Sequence, residues 1–337
     1  MQFGLVAYRD HPPQDHTYVT RVFDFITDSA GMTNNLSSLS AEGGGDGPEA
    51  LTAGLHAAKN LTWRDGAAKV VVLIADAPPH GLGEGGDGFP DGDPDGLDPL
   101  VIAREMSNLG IAIYSVGCEP ALGSYKFARS FMISLSEITG GKAVSLSSAA
   151  LLAEVILGGA LEELNIQTLA NQLQPEIEAI RSEIRSISTV GGVGLSDEEQ
   201  ESAVIDRVHH VLVTRGVKMS EMQTDGEMKD DTISPKLRAC LNLADVRQVL
   251  SKEVSTAPPP LVAMFAARSP FGLAKSPDTG VFNFGGAPAT RGAYFPPAVP
   301  GKLLPISATS ATRCEVIRES PSLSSVSKMI SKSRGKF

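Results

Sequence analysis

The chain is poor in cysteine and aromatic residues and has no long apolar run. Its three cysteines, Cys118, Cys240 and Cys314, are odd in number and widely spaced among 337 residues. This usage argues against a disulfide framework and a cysteine-based metal site, and predicts a reducing, cytoplasmic location. No apolar stretch approaches the roughly 18 residues of a membrane span, so we expect no membrane-spanning segment.

Basic residues are also scarce relative to acidic ones. There are 29 Lys and Arg against 39 Asp and Glu, which gives a net charge of -10 and a pI near 5.1. Such a balance argues against nucleic-acid binding. Residues 43–45 are a glycine run without the Lys-Ser/Thr of a phosphate-binding loop, and no Ser-His-Asp or Cys-His order has a recognisable spacing. Hydrolase and nucleotidase functions are therefore disfavoured.

Two acidic loops are the most informative feature that is present. They cover residues 43–49 and residues 74–81. The apolar run from Lys69 to Ala75 leads into the second loop. It predicts a strand buried on both faces of a parallel sheet. Asp76 would then lie at the carboxyl end of that strand, where open α/β sheets bind ligands.

The first loop predicts the start of a helix. Its glycines permit an unusual backbone path, Pro48 suits a first helical turn, and Glu49 would lie near the positive end of the helix dipole. Glu49 and Asp76 could converge on one hard cation, Mg²⁺ or Mn²⁺, with Asp46 as a further candidate ligand. The alternative is that Asp46 and Glu49 cap the helix while Asp76 only ends a strand.

Three segments in this order resemble the von Willebrand factor A domain: Phe3 to His11, Gly45 to Glu49, and Asp76 to Gly81. The likeness is strongest to the intracellular branch found in fungal proteins and in amoebal alpha-kinase proteins. It implies a doubly wound α/β fold with a mainly parallel sheet and one antiparallel edge strand. By the same resemblance, Glu49 and Asp76 match the metal-ion-dependent adhesion site, whose cation binds an acidic side chain of a protein partner.

The sequence departs from that family at its start. The family opens with a central strand ending in Asp-x-Ser-x-Ser, which supplies much of the cation's coordination, whereas residue 1 stands just before the family's second strand. The resemblance therefore predicts a truncated domain. The missing strand would lie between the strands Phe3–Tyr8 and Val70–Ala75, and the metal site would be incomplete and weak.

Three regions are predicted. Residues 1–164 alternate strands and helices and form the von Willebrand factor A-like domain, with Phe3–Tyr8 paired antiparallel to residues 18–25. Residues 165–254 are predicted as helices, with an apolar stripe interrupted at Pro175. That stripe belongs either to an internal core or to a partner-binding bundle. Residues 255–337 are rich in Pro, Ser and Gly and are predicted to be disordered, with a basic tip at Lys328 to Lys336.

An acidic loop follows the second motif. It is predicted to be a solvated, partner-binding flap. Residues 91–96 imitate the start of an EF-hand calcium loop, but the twelfth position is Ile102 where that loop needs Glu. The flap residues are His80, Asp87, Asp91, Asp93 and Asp95.

The function predicted from these features is an intracellular, non-enzymatic protein-interaction module. The alternative is a regulatory component related to alpha-type protein serine/threonine kinases that carry such a domain. No Gly-rich nucleotide loop with a catalytic Asp-Asn set follows residue 160, so the alternative is a regulator and not a kinase.

Overall fold

The structure is a computed structural model that describes residues 1–146, 151–190, 194–256 and 313–334. Within these ranges the chain is a mixed α/β protein. Its strands are β1 (Phe3–Tyr8), β2 (Thr20–Ile26), β3 (Lys69–Ala75), β4 (Ile111–Cys118), β5 (Ala143–Leu146), β6 (Met219–Thr224) and β7 (Cys314–Glu319). Its helices are α1 (Ser29–Ser37), α2 (Leu51–Lys59), α3 (Pro99–Asn108), α4 (Ala128–Ile138), α5 (Leu152–Val190), α6 (Asp197–Thr214), α7 (Ser234–Ala239), α8 (Leu243–Thr256) and α9 (Leu323–Arg334).

A parallel sheet of three strands, in the order β3-β4-β5, forms the centre of the α/β part. Strand β4 is buried almost throughout, and Ile111 and Ile113 pack on one face against α2, α3 and α4. Tyr114 and Val116 pack on the other face near Val155 of α5. Cover on both faces explains why the strand sequences are nearly continuous apolar runs. The predicted α/β class with a parallel sheet is confirmed.

Strands β1 and β2 form a separate antiparallel pair, with Tyr8 opposite Thr20. The antiparallel pairing is as predicted, but the pair is not hydrogen-bonded to the parallel sheet. In the described ranges, β1 is paired with β2 alone and β3 with β4 alone. The sheet, which was predicted to lack its first central strand, is thus present as two separate hydrogen-bonded parts.

Helix α5 runs without interruption through Pro175, so the predicted break there is wrong. The boundary predicted at residue 164 also falls inside this helix. A proline in a helix interior costs about 3 kcal/mol. Burial of the stripe outweighs that cost, because Ile166 and Ile177 lie in a core shared with α6 and α9. Most of the stripe therefore packs within this chain, whereas Leu161, Leu164 and Ile187 are exposed.

The region 165–254 is not wholly helical, because Met219–Thr224 forms β6. This strand pairs antiparallel with β7, with Met219 opposite Glu319 and Thr224 opposite Cys314. Met219 and Met222 are buried. A strand of six residues with only these two large apolar side chains gives a weak periodic signal, which the surrounding helical pattern obscured.

The prediction of a disordered tail is wrong for residues 313–334. They form β7 and α9, and Val326, Met329 and Ile330 are fully buried against α5 and α6. The overall Pro- and Ser-rich composition of the tail masked this short amphipathic segment. Residues 257–312, for which disorder was also predicted, lie outside the described residues.

The part of the chain that the structure describes contains no helix with the length and apolar character needed to cross a bilayer.

Candidate cation-binding site

Three loops meet at the carboxyl ends of β1 and β3. Asp10 follows β1, and Asp76 follows β3. The turn at Glu49 and Ala50 ties the two strand ends together, because the Glu49 N–H donates to the carbonyl of Pro78 (3.0 Å) and the Ala50 N–H donates to that of Arg9 (2.9 Å). The main chain thereby brings three acidic positions into one region.

Helix capping does not explain the acidic residues of the first loop. Helix α2 begins at Leu51, its N-cap is Ala50, and no side chain caps it. One Asp46 oxygen accepts a hydrogen bond from the Gly88 N–H of the neighbouring loop. The Glu49 carboxylate lies beside Gly44, where an added Cβ would come within 2.7 Å of Oε1. The glycine therefore leaves room for Glu49 to turn back under its own loop.

Asp10 is the acidic residue that the sequence analysis missed. Its carboxylate is fully buried, and Oδ1 accepts hydrogen bonds from the His11 N–H and from His80 Nε2, both at 2.7 Å. Like Asp76, it stands just after a strand of the sheet region. This position after a strand is the signal by which the sequence could have identified Asp10, as it identified Asp76.

Three carboxylate oxygens are buried here without any hydrogen-bond partner in the described part of the chain: Asp10 Oδ2, Asp46 Oδ1 and Glu49 Oε2. Each such atom costs about 1–3 kcal/mol if it stays unsatisfied. Single oxygens or nitrogens of Asp10, Asp46 and His80 also lie within 4.8 Å of one another. Unpartnered carboxylate oxygens from separate residues are the ligands that a hard cation requires.

The raised pKa values of two of these carboxylates also indicate that their negative charge is not compensated. Burial raises the pKa of Glu49 to about 7, and the charges of Asp10 and Asp76 contribute to the rise. Burial likewise raises the pKa of Asp46, although the Gly88 N–H opposes the shift. The site therefore concentrates negative charge, and a bound cation would offset it.

His80 supplies part of the missing positive charge. Its Nε2 lies 2.7 Å from Asp10 Oδ1, and its Nδ1 lies 2.8 Å from Asp87 Oδ1. Burial alone would lower the pKa of His80, but the two carboxylates outweigh that effect and raise it. Because both ring nitrogens have partners, we interpret His80 as a positively charged brace and not as a cation ligand.

The predicted solvated flap is exposed at many of its residues, but two of its aspartates have buried side chains. Asp87 also accepts hydrogen bonds from the Gly81 and Phe89 N–H groups, and Asp93 pairs with His11 at 3.2 Å. The side chains of Asp87 and Asp93 are 2% and 1% exposed, respectively. The two histidines pair with these carboxylates inside the loop, a pairing that the acidic composition alone did not indicate.

The same loop is anchored to helix α8. The Leu243 N–H donates to Asp98, and Arg247 donates to the carbonyl of Asp91, both at 2.6 Å. Only Asp91 and Asp95 of the predicted partner-binding residues are exposed. Three of the five, His80, Asp87 and Asp93, are instead internal supports of the loop.

Asp76 is exposed at the open side of the site. It lines one cleft together with Glu49. Burial raises the pKa of Tyr125, and the charge of Asp76 raises it further. The structure thus brings Glu49 and Asp76 together and adds Asp10 and Asp46 at the buried end of the same acidic cluster.

Comparisons with known proteins give partial matches. The chain is 32% identical over 116 residues to the alpha-protein kinase vwkA of Dictyostelium discoideum, which is 34% of this chain and 18% of the kinase. It is 30% identical over 152 residues to a putative ariadne-like RING finger protein of Acanthamoeba polyphaga mimivirus, which is 43% of this chain and 14% of that protein. No protein-family model matches the chain, and no solved structure matches it. The chain therefore resembles limited segments of two much longer proteins.

Proposed function

We propose that this chain is an intracellular protein-interaction module of the von Willebrand factor A type. In this proposal Asp10, Asp46, Glu49 and Asp76 hold a divalent cation, Mg²⁺ or Mn²⁺. The cation would bind an acidic side chain of a protein partner. The observation that carries the proposal is the set of three buried, unpartnered carboxylate oxygens at the carboxyl ends of β1 and β3.

The donor set fits a hard cation. Oxygen ligands on short loops from different parts of the chain suit Mg²⁺, which keeps several of its waters. Asp10 and Asp46 would bind from the buried side, and the exposed Asp76 from the open side. The bound ion would supply positive charge to an otherwise anionic cleft. The three free thiols agree with the reducing, cytoplasmic location that we propose.

Calorimetry with MgCl₂ and with MnCl₂ on chelator-treated protein tests the cation site. We expect one weak site, and at least an about tenfold loss of affinity for Asp10→Asn and for Glu49→Gln. Asp95→Asn is the matched control, because Asp95 is an exposed residue of the neighbouring loop and its change should alter affinity by less than about twofold. Equal affinity in all four proteins would refute the site.

A second experiment tests whether the bound cation recognises an acidic side chain of a partner. Mn²⁺ bound to the protein enhances the relaxation of water protons, because the ion retains exchangeable waters. A short peptide with one central Glu should reduce this enhancement by displacing a water, whereas the same peptide with Gln should not. Equal effects of the two peptides would contradict recognition of an acidic side chain.

The similarity to vwkA supports a second candidate, a regulatory component related to alpha-type protein kinases. The match covers 18% of that kinase, so the similarity concerns only a part of it. Incubation of the purified chain with labelled ATP and a generic protein substrate tests whether the chain itself transfers phosphate, which neither candidate predicts. Phosphate transfer would replace the interaction proposal with an enzymatic one.

A further inference from the structure

The small sheet formed by β6 and β7 ends in a strand edge without a strand partner. Within the described ranges, β7 pairs with β6 alone, and the antiparallel register places Ser220 opposite Arg318 and Met222 opposite Val316. The other side of β7 is therefore a free edge. Such an edge is a template for pairing with another strand.

The outer edge of β6, in contrast, is hydrogen-bonded to side chains. The Met222 N–H donates to Glu162 and its carbonyl accepts from Lys142, both at 2.7 Å, and the Ser220 N–H donates to Asn165 at 2.8 Å. These main-chain groups point away from β7. Because facing residues of an antiparallel pair either exchange both hydrogen bonds or none, neither residue is hydrogen-bonded to its partner in β7.

The free edge of β7 presents main-chain groups at alternate residues. The N–H and C=O groups of Val316 and Arg318 point to this edge, because these two residues face Met222 and Ser220 in non-hydrogen-bonded pairs. Cys314 belongs to the same alternation. The groups of the intervening residues point toward β6. Three residues therefore have both main-chain groups directed at a possible neighbour.

Exposed leucines of α5 lie beside this edge. Leu157, Leu161 and Leu164 are 56%, 51% and 55% exposed, and their spacing places them on one face of the helix. We call these three residues the leucine stripe. A cavity of about 360 Å³ lies between α5 and the sheet, and its lining combines apolar and polar side chains: Leu161, Leu164, Asn165, Thr168, Ser220, Val316 and Arg318.

Helix α5 runs alongside β7 in the same direction. Gly158 lies against Cys314, because a Cβ added to this glycine would be 3.5 Å from the cysteine Sγ. About two turns later, Asn165 accepts the hydrogen bond from Ser220, which stands opposite Arg318. The two ends of the free edge are thus level with these two positions of α5.

The centre of the leucine stripe is consequently level with the centre of the free edge. Leu161 is the middle residue of the stripe, and Val316 is the middle residue of the edge. A two-fold axis at this level superposes each feature of one molecule on the same feature of a second molecule. The surface is therefore self-complementary in the way that a two-fold interface requires.

We propose that the chain forms a homodimer in which the β7 strands of two copies pair antiparallel across a two-fold axis at Val316. Strands β6 and β7 of both copies then form one four-stranded sheet, with about six main-chain hydrogen bonds across the junction. The two α5 helices lie antiparallel on one face of this sheet, and their leucine stripes cover each other. No residue of the cation-binding site takes part, so this inference goes beyond the proposed function and stands independently of it.

The charges along β7 favour this register. With Val316 opposite its own copy, Arg313 faces Glu319, and no like charges are directly opposite each other. An axis at Glu315 would place that carboxylate opposite itself. An axis at Ile317 would place Glu315 opposite Glu319. The two neighbouring registers are therefore disfavoured by like-charge repulsion.

Helix α5 adds a second pair of opposite charges. In this register, Arg318 of one copy lies opposite Cys314 of the other. Glu154 stands one turn before Gly158, the residue that lies against Cys314, and both Glu154 and Arg318 are exposed. The pairing therefore brings Arg318 of one copy near Glu154 of the other, at each end of the junction.

Sedimentation equilibrium of the full chain measures the assembly. We expect a reversible dimer with twice the chain mass of 35.3 kDa. Leu161→Glu should weaken the dimer at least about tenfold, because it places two carboxylates at the axis. Leu36→Glu is the matched control: Leu36 is 53% exposed in α1, and its change should alter the dissociation constant by less than about twofold.

Val316→Pro tests the strand pairing. It removes an N–H from the free edge and leaves the hydrogen bonds between β6 and β7 intact, so we expect at least an about tenfold weaker dimer. Val316→Thr retains the N–H and the branched side chain, and it should stay within about threefold of the parent. Circular dichroism confirms that each variant is folded.

Charge reversal tests the register. Arg318→Glu and Glu154→Arg should each weaken the dimer, and the double variant should return to within about threefold of the parent. A monomer at about 0.1 mM would overturn the proposal and leave the edge to a different protein or to another segment of this chain. A dimer that is unaffected by both Leu161→Glu and Val316→Pro, or a double variant as weak as the single ones, would also overturn it.

Discussion

Glu163 in the first third of α5 forms an ion pair with Lys332 in α9, with Oε2 and Nζ 2.8 Å apart. Glu163 is fully buried, also pairs with Lys328, and accepts a hydrogen bond from the Tyr114 hydroxyl at 3.0 Å. Lys332 additionally donates to the carbonyl of Gly110. The carboxyl-terminal helix is therefore held by charge as well as by its apolar side chains.

This pair predicts an acid-sensitive attachment of α9. Burial alone would raise the pKa of Glu163, but Lys328 and Lys332 outweigh it and hold the pKa below its usual value. A lowered carboxylate pKa contributes stability that is fully present above the unfolded value near 4.3 and is lost as pH falls through the folded value. Glu163→Gln should cost about 3 kcal/mol at pH 7, because it removes the carboxylate that pairs with the buried Lys332.

Urea unfolding at several pH values measures this difference. The difference in the free energy of unfolding between the parent and Glu163→Gln should narrow below about pH 4, because the Glu163 carboxylate of the parent then becomes protonated. Glu176→Gln is the control, because Glu176 pairs with Arg215 on the surface, and its loss should cost less than about 1 kcal/mol. A pH-independent difference for Glu163→Gln would contradict the electrostatic explanation.

Ile330→Ala should destabilise the protein, because Ile330 is fully buried in the core shared by α5, α6 and α9. Removal of a buried Ile side chain costs about 2–5 kcal/mol. Leu323→Ala in the same helix is the control: Leu323 is 51% exposed, and its replacement should cost less than about 0.5 kcal/mol. Chemical denaturation measures both. Similar small effects would mean that α9 does not pack as described.

Gly81→Ala should be much more costly than Gly83→Ala. Both glycines have positive φ, 86° and 77°, so each change carries a backbone cost of about 1–2 kcal/mol. At Gly81 the new Cβ would also meet the Gly92 Cα at 2.8 Å, whereas at Gly83 no atom lies within 4 Å. The difference in thermal stability between the two variants isolates the close contact. Equal stability would show that the loop is not folded back as described.

Glu49→Gln should act in opposite directions with and without cation. A carboxyl whose pKa is raised to about 7 opposes folding when it is ionised, so its contribution becomes less favourable as pH rises from about 4.3 to 7. In excess chelator at pH 8, Glu49→Gln should therefore melt at a higher temperature than the parent. Added MgCl₂ should stabilise the parent and leave the variant unchanged. A lower melting temperature of the variant in chelator would contradict the charge crowding.

The sequence predicted those parts of the fold whose signal is local. The apolar runs of β3 and β4 indicated a parallel sheet, and the position of Asp76 after β3 indicated the cleft. Asp10 follows β1 as Asp76 follows β3, but the contact that distinguishes it comes from His80, 70 residues later. The strand β7 was missed for a similar reason: its partner β6 lies far earlier in the chain, and neither strand has a strong pattern of its own.

The acidic loop shows the limit of composition as a guide. A run of aspartates predicts solvation only if no nearby side chain can pair with them. His11 and His80 each pair with loop aspartates, and Phe89 packs against both rings. The sequence contained all these residues, but their pairing depends on how the loops cross.

Helix α5 belongs to two cores. Val155 near its start packs under the central sheet, while Ile166 and Ile177 form the core with α6 and α9. Neither core can be exposed without disturbing a helix that the other also uses. The two should consequently melt as one cooperative unit, so calorimetric and van't Hoff enthalpies should agree across both. A substitution that detaches the carboxyl-terminal helix would therefore also destabilise the α/β part that carries the acidic cleft.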